Sequence, residues 1–263
     1  MTKPKEDPAV TAAEFTLTLF CRVDDALKDV CGHPLAHLHP SEVVTLGLLY
    51  ALRGGTGRAF YRWLKKELGS LFPRLPERTR LFRLFERHAA LTRQFLAQPT
   101  LFGVCDTFGI ELIHPIREGR SERQIGGKSK SNHRWIVGAK CFVLCNGDGQ
   151  IVEILAGSGR VHDTAFHCVI ENVEKEMIVL ADGGFHAKRD NPVNLKVCKK
   201  GKWNERMVIE TVNSLFTTVL KLKKLTHRTW SALDARLAYV AAAFNICTAW
   251  TGEVTLQLAP FAL

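Results

Sequence analysis

Trp135-Ile-Val-Gly-Ala-Lys-Cys-Phe-Val-Leu-Cys-Asn-Gly-Asp-Gly-Gln-Ile-Val-Glu-Ile-Leu155 is the stretch that decides the fold. Two apolar runs, Trp135 to Leu144 and Ile151 to Leu155, flank Asn146-Gly147-Asp148-Gly149, a turn signal that predicts a β-hairpin. Upstream, Leu101-Phe-Gly-Val-Cys-Asp106 reads as a buried strand ending in a carboxylate, with Thr107-Phe108-Gly109 marking a change of direction. Downstream, a helix from Asp163 to about Val173 precedes a strand, Met177-Ile-Val-Leu-Ala-Asp182, which stops at Gly183-Gly184. A short strand follows from Val193 to Cys198. Val208, Ile209, Val212, Leu215, Phe216 and Val219 then form a helical stripe over 205–220, and an alanine-rich helix spans 231–249.

Before Pro99 the texture is helical. Val43, Val44, Leu46, Leu48, Leu49 and Leu52 crowd a helix with Ser41 as its expected N-cap and Gly54-Gly55 as its stop. A second helix runs from Arg58 to Leu68. A third runs from Thr79 to Ala97, with Leu81, Leu84, Phe85 and Leu91 on one face. Arg62, Lys65, Lys66, Arg74, Arg78, Arg80, Arg83 and Arg87 make this a basic module. The organisation is therefore a helical module over 1–98, an α/β domain over 99–250 and a tail over 251–263. Three antiparallel strands, a helix, another strand and a closing helix suit a ribonuclease-H-like core.

Lysine and arginine number 36 against 26 acids, a net charge of +10 over 263 residues, which favours a polyanionic partner. A composition 46% hydrophobic and 24% charged excludes a disordered chain, a collagen-like repeat or a coiled coil. No run approaches the roughly 18 apolar residues of a membrane helix, so a soluble, cytoplasmic protein is expected. The eight cysteines, at 21, 31, 105, 141, 145, 168, 198 and 247, show no framework and read as core residues in a reducing compartment. Cys31, His33, His37 and His39 lack a second ligand pair at zinc-finger spacing. GxxxxGK[ST] is missing, so no nucleotide cofactor is expected.

Asp106 and Asp182 end strands, where loops carry ligands in sheets with parallel neighbours. Glu210 falls close to the apolar stripe of its helix, and a core-facing carboxylate calls for a compensating cation. Three acids together repel one another unless divalent metal lies between them, and two Mg²⁺ ions would clamp a phosphodiester. Glu205, about 140° round the helix from Glu210, is the rival third acid. Asp163 is the runner-up acid and reads first as a helix N-cap. Arg117, Arg120, Arg123, Lys128, Lys130, Arg134 and Lys140 form a flexible basic loop beside the first strand. A second cluster, Lys199, Lys200, Lys202, Arg206, Lys221, Lys223, Lys224 and Arg228, flanks the glutamate helix, with Trp203 and His227 available for stacking or packing, and both clusters suit phosphate contacts.

Asp182-Gly183-Gly184-Phe185 resembles the DxGY-type motif of bacterial insertion-sequence DDE transposases. Asn204-Glu-Arg206-Met-Val-Ile-Glu210-Thr-Val-Asn-Ser-Leu-Phe is similar to their third-acid helix, with a basic residue one turn before the glutamate. The nine-eighty-two group gives the best likeness, extending through Ser41 to Leu46, Phe72 to Pro76, the strand to Asp106, and Gly157 to Asp163. Phe185 stands where the family usually has tyrosine, and Cys141 where relatives often carry histidine. The resemblance implies a ribonuclease-H-like catalytic domain in which Asp106, Asp182 and Glu210 bind Mg²⁺ or Mn²⁺, as two ions. It also implies metal-dependent cleavage of double-stranded DNA at element ends and strand transfer into target DNA, by a homodimer at the bacterial nucleoid. The alternatives are a metal-dependent nuclease without strand transfer and a catalytically inactive DNA-binding relic.

Overall fold

A computed structural model describes residues 11–131, 134–198 and 206–251, and these form two compact units that divide between Gln94 and Phe95. In the first unit α1 (Ala12–Ala26) starts at a reciprocal cap: Thr11 Oγ1 accepts from the Glu14 amide at 3.2 Å while Glu14 Oε2 accepts from the Thr11 amide at 2.9 Å. The central helix is α2 (Pro40–Arg53), buried almost all round, which its leucine and valine crowding requires. Its N-cap is His39 rather than Ser41. Pro40 takes the first helical position, and the Ser41 hydroxyl instead donates to Asp24 Oδ1 at 2.6 Å. Gly54, at φ 67°, ends the helix in a backbone region that disfavours side chains.

Two one-faced helices follow, α3 (Gly57–Glu67) and α4 (Arg78–His88). Phe60, Leu64, Leu81 and Phe85 point inward, where Tyr50 meets Phe60 and Phe82 at centroid distances of 5.0 and 5.1 Å. Arg58, Arg62, Lys65, Lys66, Arg78, Arg80 and Arg83 stay exposed. The third helix of the sequence reading is shorter than expected, because Ala89–Phe95 tightens into a 3₁₀ helix.

The second unit is a mixed α/β layer structure around a six-stranded sheet. Its strands are β1 (Phe102–Ile113), β2 (Gly127–Ser131), β3 (Arg134–Asn146), β4 (Ile151–Ser158), β5 (Ile178–Ala181) and β6 (Leu195–Val197). β3 pairs antiparallel with β1 on one side, while on the other β2 covers its first half and β4 its second. β1, β5 and β6 run parallel. The spatial order is thus β4 with β2, then β3, β1, β5 and β6.

Two sequence expectations change here. The first strand does not end at Asp106; it continues through Ile113 because β3 supplies ladder partners beyond it, Gly109 opposite Lys140 among them, with a register shift between Glu111 and Ile113. Part of the expected basic loop is strand: β2 is polar, and pairing with β3 makes it a strand where its own residues give no β signal.

Cys105, Phe142, Leu144, Phe166, Val169, Ile170, Met177, Val179, Ala181 and Phe185 form the core under α5 (His167–Glu171). The predicted helix from Asp163 opens as a 3₁₀ turn, Asp163–Phe166, leaving only five residues of α5. α6 (Arg206–Thr218) and α7 (Trp230–Thr251) cover the opposite face. Phe216 of α6 touches Phe108 of β1 and Phe244 of α7, at centroid distances of 6.4 and 5.3 Å. Asn245 of α7 clips on β4, accepting from the Ile151 amide and donating to the Ile151 carbonyl, both at 2.8 Å. Among the described residues no helix is long and apolar enough to cross a membrane.

Candidate carboxylate site and basic cleft

Parallel pairing sets Gly103 beside Val179 and Val104 beside Leu180. The same offset carried two residues on would set Asp106 level with Asp182, the residue that follows β5. Both acids are half-buried. Asp182 immediately follows β5, and its Oδ1 accepts from the Gly184 amide at 2.8 Å. Asp106 lies within β1; its Oδ1 accepts from the Thr107 amide at 2.7 Å, and its Oδ2 from Asn213 Nδ2 at 3.0 Å.

Asp163 enters the same neighbourhood, and not as the helix cap. His162 fills that role, accepting from the Thr164 amide through Nδ1, so the Asp163 carboxylate is released to other partners. Its Oδ1 accepts from the Thr107 hydroxyl and from Lys140 Nζ, each at 2.8 Å. A Cβ placed on Gly184 would meet Asp163 Oδ2 at 2.6 Å and Asp182 Oδ1 at 3.0 Å, so two carboxylates close on one glycine. The electrostatics agree: burial first, then Asp106, Asp182, Cys145 and Asp163, drive the Cys105 thiol well above its ordinary value.

Glu210 is exposed, not at the buried face of its helix. It borders a shallow surface depression with Met207, Thr211, Ser214 and Leu215. Ile209, Val212 and Phe216 take the buried positions of α6, while Asn213, one turn after Glu210, reaches Asp106. Glu205 lies outside the described residues.

A cleft of about 1000 Å³ reaches this group at Asp163 and Thr107, and its lining includes Lys128, Lys130, Arg134, Lys140, Arg160 and Lys223 but not Asp106, Asp182 or Glu210. Of the sequence-predicted basic residues, the cleft therefore gathers Lys128, Lys130, Arg134, Lys140 and Lys223. Arg117, Arg120 and Arg123 are exposed on the segment between β1 and β2. Lys199, Lys200, Lys202 and Trp203 lie outside the described residues, as does the side chain of Arg206. Lys128 stands 5.3 Å over the exposed ring of Trp135. Arg134 is also bound to the buried Glu111, Nη2 to Oε2 at 2.9 Å.

Thr107, Asn213 and Arg160 are site residues that the sequence reading gave no role. Asn213 had a signal in its place one turn after the glutamate of the family-like motif, and Arg160 in its place within the family-like stretch from Gly157 to Asp163.

The donor set suits a hard divalent cation. It consists of carboxylate oxygens, with the Cys105 thiol held protonated and so unable to act as a soft ligand. Asn213 Oδ1, beside Asp106, is sealed from solvent and has no hydrogen-bond partner, a further oxygen without an assigned role. Among the described residues no three histidine, cysteine, aspartate or glutamate side chains close on one point; Lys140 is the cation in contact with Asp163. No known protein family and no curated protein matches the chain.

Proposed function

We propose that this chain is a DDE-type insertion-sequence transposase, cutting double-stranded DNA at element ends and joining the freed 3′-hydroxyl to target DNA. One observation carries the reading: Asp106 of β1 and Asp182, just after the parallel neighbour β5, are tied through Thr107 and Gly184 to Asp163, and Thr107 and Asp163 line a cation-rich cleft. The strand order, with β1 at the centre between an antiparallel β3–β4 side and a parallel β5–β6 side, supports a ribonuclease-H-like core. The sequence resemblance at Asp182 to Phe185 and around Glu210 supplies the specific chemistry.

In this reading Asp106, Asp182 and Glu210 hold Mg²⁺ or Mn²⁺, Glu210 standing one turn along α6 from the asparagine that grips Asp106. When bound, two such ions neutralise the phosphodiester and activate water or a 3′-hydroxyl. The chain's own side chains do the positioning. The Thr107 amide and Asn213 fix both oxygens of Asp106, so the carboxylate needs no reorganisation on binding. Lys128, Lys130, Lys140, Arg160 and Lys223 receive the backbone phosphates, and Trp135 offers a ring face beside them. The first unit has a basic surface of its own, the exposed arginines of α3 and α4. Pairing of two element ends calls for a homodimer.

The test is cleavage and strand transfer on the DNA flanking this gene, with Mg²⁺ or Mn²⁺ present or chelated. Metal-dependent nicking at a discrete end, abolished in Asp182→Ala with duplex binding retained, is the expected result. Nicks without joined products would leave a nuclease. Binding without cleavage under either metal would leave a DNA-binding relic.

A further inference from the structure

Lys140 and Asp163 are separated by 23 positions yet form a 2.8 Å ion pair, with side chains only 23% and 19% exposed. Three features set it apart from an ordinary surface pair. The oxygen that takes the ammonium also takes the Thr107 hydroxyl, and the Thr107 amide holds Asp106, so one residue ties Asp163 to the catalytic carboxylates. The other oxygen of Asp163 converges with Asp182 Oδ1 on Gly184, an approach that like charges resist unless positive charge is near. The lysine itself lines the basic cleft, and its four-carbon stem allows the ammonium to leave Asp163 for that space without moving β3.

We propose that Asp163 is a further metal-binding carboxylate of this site and that Lys140 is its removable counter-ion. Lys140 holds the positive charge at Asp163 until a divalent cation takes over, and its ammonium then turns to a DNA phosphate in the cleft. The inference rests on the metal-dependent reading above. It adds an acid outside the family-like trio and a coupling between metal and DNA: the cation frees the lysine, and the phosphate keeps it away. By linkage, each ligand raises the affinity of the other by the same factor.

Mn²⁺ binding to the full chain without DNA, followed by the electron paramagnetic resonance of free Mn²⁺, tests this apart from catalysis. Asp163→Asn should weaken Mn²⁺ about ten-fold. Lys140→Met, which removes the competing charge, should tighten it about five-fold, as should Lys140→Gln, which keeps a donor for Asp163. In an Asp163→Asn background, Lys140→Met should lose its effect, a non-additivity that a general loss of stability does not produce. Duplex affinity in the presence of Mn²⁺ should fall in Lys140→Met. If Asp182→Ala abolishes Mn²⁺ binding while Asp163→Asn leaves it unchanged, or if the Lys140 variants weaken it, the counter-ion proposal fails and the transposase reading stands. If the wild-type chain binds no Mn²⁺, both fall.

Discussion

Removing the cations around Glu111 should cost more stability than removing Glu111 itself. The Glu111 side chain is 6% exposed, accepting from Arg134 at 2.9 Å and Lys224 at 3.2 Å, whose side chains are 54% and 66% exposed. Its backbone also holds the segment before α7: the Glu111 amide donates to the Lys223 carbonyl at 3.0 Å, and the Leu225 amide donates to the Glu111 carbonyl at 2.9 Å. Glu111→Gln keeps shape and backbone and turns two charge-assisted hydrogen bonds into weaker ones, a loss of about 1–2 kcal/mol, since both cations already reach water. Arg134→Met with Lys224→Met leaves a buried carboxylate uncompensated, worth about 3 kcal/mol, the low end for a broken buried pair because shortened rim side chains admit solvent. Combining all three changes should recover most of that loss. Urea unfolding followed by tryptophan fluorescence reads this out, because Trp135, Trp203, Trp230 and Trp250 follow Gln94 and only Trp63 precedes it. A double-cation variant as stable as wild type, or a Glu111→Gln variant less stable than the double-cation variant, would refute the reasoning.

Three further outcomes follow from the geometry. His227 has a sealed, unpartnered Nδ1, and burial with the nearby Arg236 lowers its pKa to about 4. The native ring therefore stays neutral while the unfolded one protonates near 6.5. Its contribution, up to roughly 3 kcal/mol, is present above about pH 6.5 and lost as pH falls towards 4. Thermal melts across that range should slope less in His227→Leu, and an unchanged slope would count against it. Gly184→Ala drives a methyl between Asp163 and Asp182 and should cut cleavage more than ten-fold, whereas Gly183→Ala, with nothing within 4 Å, should leave it intact; equal effects would refute the pinch. Replacing Lys128, Lys130 and Arg160 by alanine should flatten the log–log salt dependence of duplex binding by about 2.7, 0.9 for each phosphate released. A slope matching wild type would remove these residues from the interface.

The strand ending before Asp182 was legible because an apolar run meets two glycines. Asp106 misled for the converse reason: Thr107-Phe108-Gly109 has local turn character, and only the distant β3 makes it strand. β2 is a starker case, since Gly127-Lys-Ser-Lys-Ser131 has no β signal apart from its partner. Asp163 resembled a cap because an acid at a helix start usually is one. His162, one position earlier, had the same capacity, and tertiary partners at Thr107 and Lys140 decided between them. The exposure of Glu210 was hidden too, since a stripe of apolar residues locates a face only to within one position, and Ile209 took the buried one. Local periodicity reveals elements; which polar group turns towards which depends on pairings of long sequence separation, 107 positions for Asn213 with Asp106.

The division of one side of β3 between β2 and β4 bears on how the protein resists aggregation. A long, flat, unpaired strand edge invites another chain to add to it. Here that border is divided between β2, five residues long and carrying Lys128 and Lys130, and β4, eight residues long, while the opposite border, β6, is three residues long. β4 leaves the longest border among the described strands, and Asn245 of α7 occupies the Ile151 amide and carbonyl at its start. A charged substitution along the outer edge of β4 would then guard the longest open border without disturbing the β1–β5 ladder on the other side of β3.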